Sequence, residues 1–550
     1  MYQDKRTKLY LPYGTRPKAS GYSDAGASVT RRALKAFKAR SGSPNEDINW
    51  NNYTLRQRSR MLYMSSPLAT SAINTNRTKA VGVGLSLKSR VDREILGLSP
   101  EAAKEWQRKT EAEFHLWADR KDACDAIGMN NFDSLQQLAL SSWLMSGDVF
   151  PLFKRRPPDS IRPYSLRIHL VEADRVRTPV EYGVSAYPSI ISGKNPETGN
   201  RIFDGVEVDA SGMVVAYYVH STYPWEITSE RDEWVRVEAY GEKTKLPNIL
   251  HVMSSERPDQ YRGVSYLAPA IEPILQMNRY INSSLQMALI QTYFTAWIIL
   301  KSNTDEIPWE SVGGWENDLQ TSGGSFENEA RPRTDPNELN MGPGTFGTLK
   351  DGEEIKFGNP TMPVPGFDAF VKIFCKLIGA GMGIPYDVLV KEYNSSYSAA
   401  RAALLDSWED FRMRRKWFVD DFCQPVYEIW LSEAVARGRI HAPGFFQDPL
   451  IRAAWCRAQW IGPVQGSLDP LKEAQAAVLQ IQHALKTHEQ VTMEVSGGDW
   501  DSNVEQLAAE NAKLVAAGGG NISITMNLDA KEAEDGGDEN AEEKRRNSTG

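Results

Sequence analysis

The sequence predicts an α+β fold, and three stretches carry that reading. Phe367, Phe370, Val371, Phe374, Leu377 and Ile378 recur at the i, i+3, i+4, i+7 spacing of one helix face. Between residues 149 and 252 the pattern changes to period-two alternation and short apolar runs parted by turn clusters. From Val264 to Leu300 only Glu272 and Arg279 are charged, as in a long helix with much of its circumference covered. At 550 residues the chain is too long for one ordinary core, so two or more packed regions are expected. Its 41% apolar and 24% charged residues are those of a soluble globular protein.

Along the chain, residues 1–45 form a basic arm, with Asp24 the lone acid between Lys5 and Arg40; it reads as flexible. Residues 52–80 read as helix, and Val81-Gly-Val-Gly-Leu-Ser-Leu-Lys88 as a strand. Ser99 followed by Pro100 and Glu101 is an N-cap with proline at the first helical position. That helix carries Trp106, Phe114 and Trp117, and a further one runs over 132–145 to Gly147. Strands are expected at 167–171, 205–209 and 214–220. Pro269 and Pro273 belong near the start of the long helix, leaving a clean rod over 274–299, about 40 Å at 1.5 Å per residue. One chain has too little nearby apolar material to cover it, so neighbouring copies complete the burial. Residues 301–362, rich in Gly, Asn, Pro and acids, form a small inserted module with strand-like pieces at 347–349 and 354–357. After the helix that contains Phe367, Gly379-Ala-Gly-Met-Gly-Ile-Pro-Tyr-Asp387 must break the chain. With Asn394-Ser-Ser-Tyr397 it makes a polar tip between two helices, suited to a mobile finger. Later helices are expected from 399, at 470–485 and at 504–517, before an acidic tail from Asp529.

The motifs that would make an enzyme are missing. There is no Gly-x-x-x-x-Gly-Lys-Ser/Thr loop and no His-Glu-x-x-His, and Gly379-Ala-Gly-Met-Gly follows a helix rather than the strand a dinucleotide site needs. Cys124, Cys375, Cys423 and Cys456 lack metal-ligand spacing and read as reduced, buried thiols. His169 and His251 read as core or surface histidines; Asp148, Asp204 and Asp209 would form a carboxylate pair only if the fold brought them together, and read first as turn residues. Residues 285–300 fall short of the ~20 apolar residues of a membrane span. No cofactor or metal is expected. Arg412, Arg414, Arg415 and Lys416 concentrate positive charge, either as a solvated face paired with Asp410, Asp420 and Asp421 or as a contact for phosphates or a neighbouring subunit. Asp368, Lys372 and Lys376, four apart, mark the polar face of the second rod.

The order of parts, with several segments, resembles the lambda-like family of bacteriophage portal proteins. The resemblance runs through Asn131-Phe132, Ser146-Gly-Asp-Val-Phe150, Leu170-Val-Glu-Ala-Asp-Arg-Val176 and Gly263-Val-Ser-Tyr-Leu-Ala-Pro269. It continues through 379–385, Ser396-Tyr-Ser-Ala-Ala-Arg-Ala-Ala-Leu-Leu405, Pro425-Val-Tyr-x-x-Trp430 and Asp469-Pro-x-Lys-Glu473. It implies a portal fold with a wing (46–263), a first stem helix (264–300), a clip (301–362), a second stem helix (363–383) and a tunnel loop (384–398). A long helix with wing and crown (399–465) and crown helices (466–528) would follow. It also implies a homododecameric ring at one capsid vertex, through which duplex DNA is packaged and ejected. The terminase large subunit, then the head–tail connector, would dock on the clip; the major capsid protein and scaffold are further partners. Tyr386, Lys391, Asn394, Ser395, Ser396 and Tyr397 become candidates to touch DNA. Asp368, Lys372, Lys376, Arg401, Arg412, Arg414, Arg415 and Lys416 become candidates to face the channel or a neighbouring subunit. The alternative is another virion structural protein, a capsid or scaffold component.

Overall fold

A computed structural model describes residues 32–37, 39, 41–183, 192–226, 233–293, 297–300, 353–356, 366–392, 397–466 and 470–517. Most of the expected basic arm and clip, and the whole acidic tail, lie outside these residues. The chain divides into two compact units, one of residues 1–57, 73–265 and 395–550, the other of 58–72 and 266–394.

The first unit is mixed α and β. A five-stranded antiparallel meander takes Ser192–Lys194, Arg201–Phe203, Val206–Val208, Val214–His220 and Trp234–Glu238 in that order. A second sheet places Asp148–Arg155 between Leu166–Glu172 and Val252–Met253, also antiparallel. Phe150, Val171, Val206, Val208, Tyr217 and Ile249 form a buried cluster that draws on both sheets. Helix Pro100–Ala118 starts as expected: Ser99 Oγ accepts the backbone N–H of Ala102, and Pro100 occupies the first turn. Helix Phe132–Ser146 is capped by Asn131, whose side chain accepts from Ser134 N at 3.0 Å. These helices meet Gln424–Ala436 in an aromatic cluster. Phe114 lies edge-on to Phe132, Tyr427, Trp430 and Trp460 at 5.1–6.1 Å.

The strand expected over 81–88 is confined to Ser86–Ser89, which pairs antiparallel with Ala458–Ile461. Residues Arg77–Val81 wind into a wide helical turn, and Gly82 and Gly84 take φ of 65° and 147°, so the pleat cannot begin earlier.

In the second unit, helices Ile271–Tyr293 and Phe367–Met382 run antiparallel. Tyr280 packs on Phe367 and Phe370 with ring centroids 5.6 and 4.5 Å apart, and Cys375 Sγ lies 3.7 Å from Met277 Sδ. The core sits at one end of the pair, built from Leu267, Ile274, Met277, Ile378, Met382, Val388 and Leu389. Farther along the first of these helices Leu285, Met287 and Leu289 are half exposed or more, and so are Ile373 and Leu377 on the second, which alternate with buried Cys375 and Ile378. The single helix expected over 52–80 is interrupted at Ser66, since Pro67 supplies no N–H. The rod is also shorter than expected: its helix ends at Tyr293, and Trp297–Leu300 is a strand paired antiparallel with Glu353–Lys356. Tryptophan and adjacent β-branched isoleucines favour the extended form there.

Candidate functional site

The glycine-rich break ends its helix with Gly383 in the left-handed region at φ 63°. Ile384 N then donates back to Gly379 O at 2.9 Å, and a Cβ at Gly379 would lie 2.5 Å from Ile384 O. The chain does not become a free loop at once: Tyr386–Val390 forms a helical turn that buries Val388 and Leu389. Ser71 Oγ donates to Leu389 O at 2.7 Å, tethering that turn to its own unit. Tyr386 is half-buried, and its hydroxyl donates to Glu392 at 2.6 Å, a bond that pushes the phenol pKa up. Lys376 lies 6.0 Å from the Tyr386 ring centroid. Lys372 bridges Asp368 at 3.1 Å and Glu392 at 3.7 Å, so the row of Asp368, Lys372 and Lys376 is joined to the base of the finger. Lys391 is exposed and takes φ 61°, where the turn ends. Asn394, Ser395 and Ser396 lie outside the described residues; Tyr397 opens a helix, and its side chain lies outside them too.

Helix Tyr397–Phe418 carries the remaining candidates in the first unit, and it divides them. Arg412 and Lys416 are exposed and pair along their own helix with Glu409 and Asp420. Arg414 turns to Asn76 Oδ1 at 2.6 Å. Arg415 donates to the carbonyls of Ala80, Lys79 and Pro463 at 2.7–2.9 Å, with its guanidinium 5.8 Å from the Trp408 ring centroid. Burial, and Arg412 nearby, pull its pKa down to about 10. Arg401 lies 3.6 Å from Glu473. The four-residue basic run is therefore two outward charges and two intrachain ties.

The turn reading of the aspartates needs correction. Asp209 does sit in a turn, accepting from Ser211 N and Met213 N. Asp204 is also in a turn, at φ 46°, but its side chain is buried in an ion cluster that includes Asp148, the first residue of a central strand. Arg262, itself fully buried, reaches Asp148 at 2.7 and 3.2 Å and Asp204 at 2.8 Å, and donates to the carbonyls of Ala173 and Val176. Arg56 closes the far side, 3.6 Å from Asp148 and 3.4 Å from Asp204. Burial opposes the charge on Asp148, but the two guanidiniums outweigh it and hold the carboxyl far below its ordinary range. His251 is buried beside them, 3.5 Å from Asp148 and stacked 4.3 Å from Phe150; burial keeps it from charging. Nothing in the local sequence pairs positions 56, 148, 204 and 262; the visible signal was a charge beside glycine in Ser146-Gly-Asp148, Asp204-Gly205 and Arg262-Gly263.

The cluster balances its charges internally, so it holds a fold together and presents no vacant coordination. Among the described residues no group of three or more His, Cys, Asp or Glu side chains could hold a metal ion. No helix there is long and apolar enough to cross a membrane. All four cysteines are buried and unpaired, and burial pushes Cys124 and Cys456 up to about 12, which leaves them poor nucleophiles.

Mixed α and β units with a tethered turn between helices suit a virion structural component of the portal class. The family described as "Phage portal protein, lambda family" matches residues 30–415, and the chain belongs to that family. It is similar to the portal protein of Escherichia phage N15, at 25% identity over 91% of each chain. It is similar to portal protein B of Escherichia phage lambda, at 24% identity over 91% of each. Among solved structures, a chain from the neck of a native gene transfer agent particle aligns over 80% of this chain and 92% of its own, with 13% identity and a TM-score of 0.38.

Proposed function

We propose that this chain is the repeating subunit of a closed ring, expected to hold twelve copies, at one vertex of a capsid. Duplex DNA passes through the ring during packaging and again at ejection. The observation that carries this reading is membership of the lambda portal family over residues 30–415. In this scheme 46–263 form the wing, 264–300 and 363–383 the stem, 301–362 the clip, 384–398 the tunnel loop, and 466–528 the crown. The clip docks the terminase large subunit and later the head–tail connector, while the major capsid protein and scaffold meet the outside. The chain works without chemistry of its own and needs no cofactor.

Exposed apolar side chains support assembly. Leu285 and Leu289 on one helix and Ile373 and Leu377 on the other are 51–64% exposed, and large apolar side chains grouped on a surface in this way mark a contact face. Neighbouring copies of the same helices are the natural cover. The charge balance supports passage of DNA: at −8 per chain, the ring is acidic overall, and an acidic or neutral wall lets phosphates slide where a basic one would hold them.

Negative-stain images of the purified chain test the reading. Closed rings with a central hole are expected. Shells would favour a capsid component, and filaments or monomers would likewise refute the portal assignment.

A further inference from the structure

Helices His488–Val495 and Trp500–Ala516 of the first unit contain no buried residue. In the second of them only Trp500, Asp501 and Asn511 are half-buried, and every other residue is exposed. What this segment presents to the rest of its unit is chiefly acid. Asp499 meets Lys88 at 2.8 Å, Asp501 meets Lys104 at 2.9 Å, Glu505 meets Arg108 at 3.3 Å, and Glu489 contacts Arg90. The cations come from the edge of strand Ser86–Ser89 and from helix Pro100–Ala118. The carboxylates that meet them come from the C-terminal segment, apart from Glu111 of helix Pro100–Ala118, which lies 3.7 Å from Lys88 on the cation side of the cleft. Asp501 and Glu505 are four apart, as are Lys104 and Arg108, so each set lies on one helix face and the two faces match charge to charge. A cleft of about 270 Å³ runs between them. Apolar contact is slight: Met493 is half-buried, with Gln459 Nε2 3.1 Å from its sulfur.

We propose that this C-terminal segment is an electrostatic latch, held on a basic face of its own unit by ion pairs and released as salt rises while the body beneath stays folded. The pairs at Lys104, Arg108 and Arg90 are about a third exposed or more, and such pairs are individually weak and screened by salt, while Lys88–Asp499 is more sheltered. A helix of 17 residues is marginal in water without packing, so loss of the pairs frees it to unwind. The pairs are formed charges: the bond to Asp501 raises the pKa of Lys104. Burial pushes Asp499 upward, but the bonds from Lys88 and Ser502 outweigh it and leave its pKa lowered.

Hydrogen exchange of the full chain, read by mass spectrometry at roughly 50 mM and roughly 500 mM NaCl, tests the latch. Peptides covering 500–516 are expected to exchange about fivefold faster or more at the higher salt. Those from helix Phe132–Ser146 should not change. The variant D499N/D501N/E505Q should exchange fast at both salts. K104E alone and D501K alone should each loosen the helix, and K104E/D501K together should restore wild-type protection at low salt. Protection that ignores both salt and the triple substitution would overturn the proposal, as would a charge-swapped pair that fails to recover.

Discussion

Asp148 and Arg262 have fully buried side chains 2.7 Å apart, and the energetics of such a pair are lopsided. Taking both charges out of water is expensive and repaid only because the pair is fully hydrogen-bonded; removing one partner strands the other. Asp148→Asn leaves Arg262 and Arg56 facing Asp204 as the remaining carboxylate of the cluster, and should destabilise the chain by about 3–5 kcal/mol. The urea midpoint checks it: an unchanged midpoint would mean that the cluster is not formed. The pH dependence has a definite sign. A carboxyl whose folded pKa lies below its unfolded value of about 3.9 stabilises above that pH and loses the contribution as pH falls through the folded value. His251, kept neutral by burial below its unfolded value of about 6.5, acts in the same direction, since acid protonates the unfolded chain first. His169, pushed down to about 4 by burial, adds to it. Stability should therefore fall from about pH 6.5 downward. Asp148→Asn should flatten the part below about pH 4 that belongs to the carboxyl, and, since Asp148 is the group that favours a charged His251, it should deepen rather than remove the histidine part; a Tm series against pH separates the two.

At the scale of elements, helix Phe132–Ser146 ends at Gly147, φ 90°, and passes at once into the strand beginning at Asp148. Gly147 and Gly263 pack backbone to backbone: a Cβ on Gly147 would lie 2.6 Å from the Gly263 carbonyl, and one on Gly263 would overlap the Gly147 oxygen. Asp148 accepts the Gly263 N–H at 3.1 Å, and Asn52 donates to Gly263 O at 3.0 Å, so neither backbone can retreat. Gly263→Ala should therefore lower stability by about 3 kcal/mol, whereas Gly97→Ala, which meets no atom within 4 Å, should give only the smaller penalty of φ 65°. Thermal unfolding of the two variants distinguishes crowding from backbone strain. The same elements show what the sequence could reveal. The helix capped by Ser99-Pro100 was legible because its signal is local, and the helix from Phe132 was legible as far as Gly147, though its cap at Asn131 was not read. So were strand Val214–His220 and the helical face that begins at Phe367. The segments Ser146-Gly-Asp148 and Gly263-Val-Ser265 stood out, but their reason did not, because it is a contact across 116 positions. Arg415 misled for a related cause: the carbonyls it serves belong to Lys79, Ala80 and Pro463, far away in sequence.

At the scale of the whole molecule, the finger is the part whose proposed job depends on the assembly, and its anchored base narrows how it can be tested. Removing all of residues 386–398 would also remove Val388 and Leu389, which are 6% and 1% exposed, and so would damage the fold for reasons unrelated to DNA. Glu392 must stay as well, since Tyr386 and Lys372 both contact it. The informative variant keeps 384–392, changes Lys391 to Glu, and replaces 393–396 with Gly and Ser at constant length. If the segment touches passing duplex, rings should form as in the wild type by negative stain, while DNA packaged per particle falls. If rings are lost, the segment is an interface between copies, and its polar tip is there for a neighbour. If rings and packaging are both unchanged, the finger has no part in transport. Lys391 is the candidate most exposed to this test: it is solvent-facing at the end of a fixed turn, and a brief phosphate contact by one lysine per subunit slows a duplex less than a basic wall would. Reversal to glutamate should therefore weaken the hold on DNA without changing assembly, and its effect should shrink as salt screens both charges.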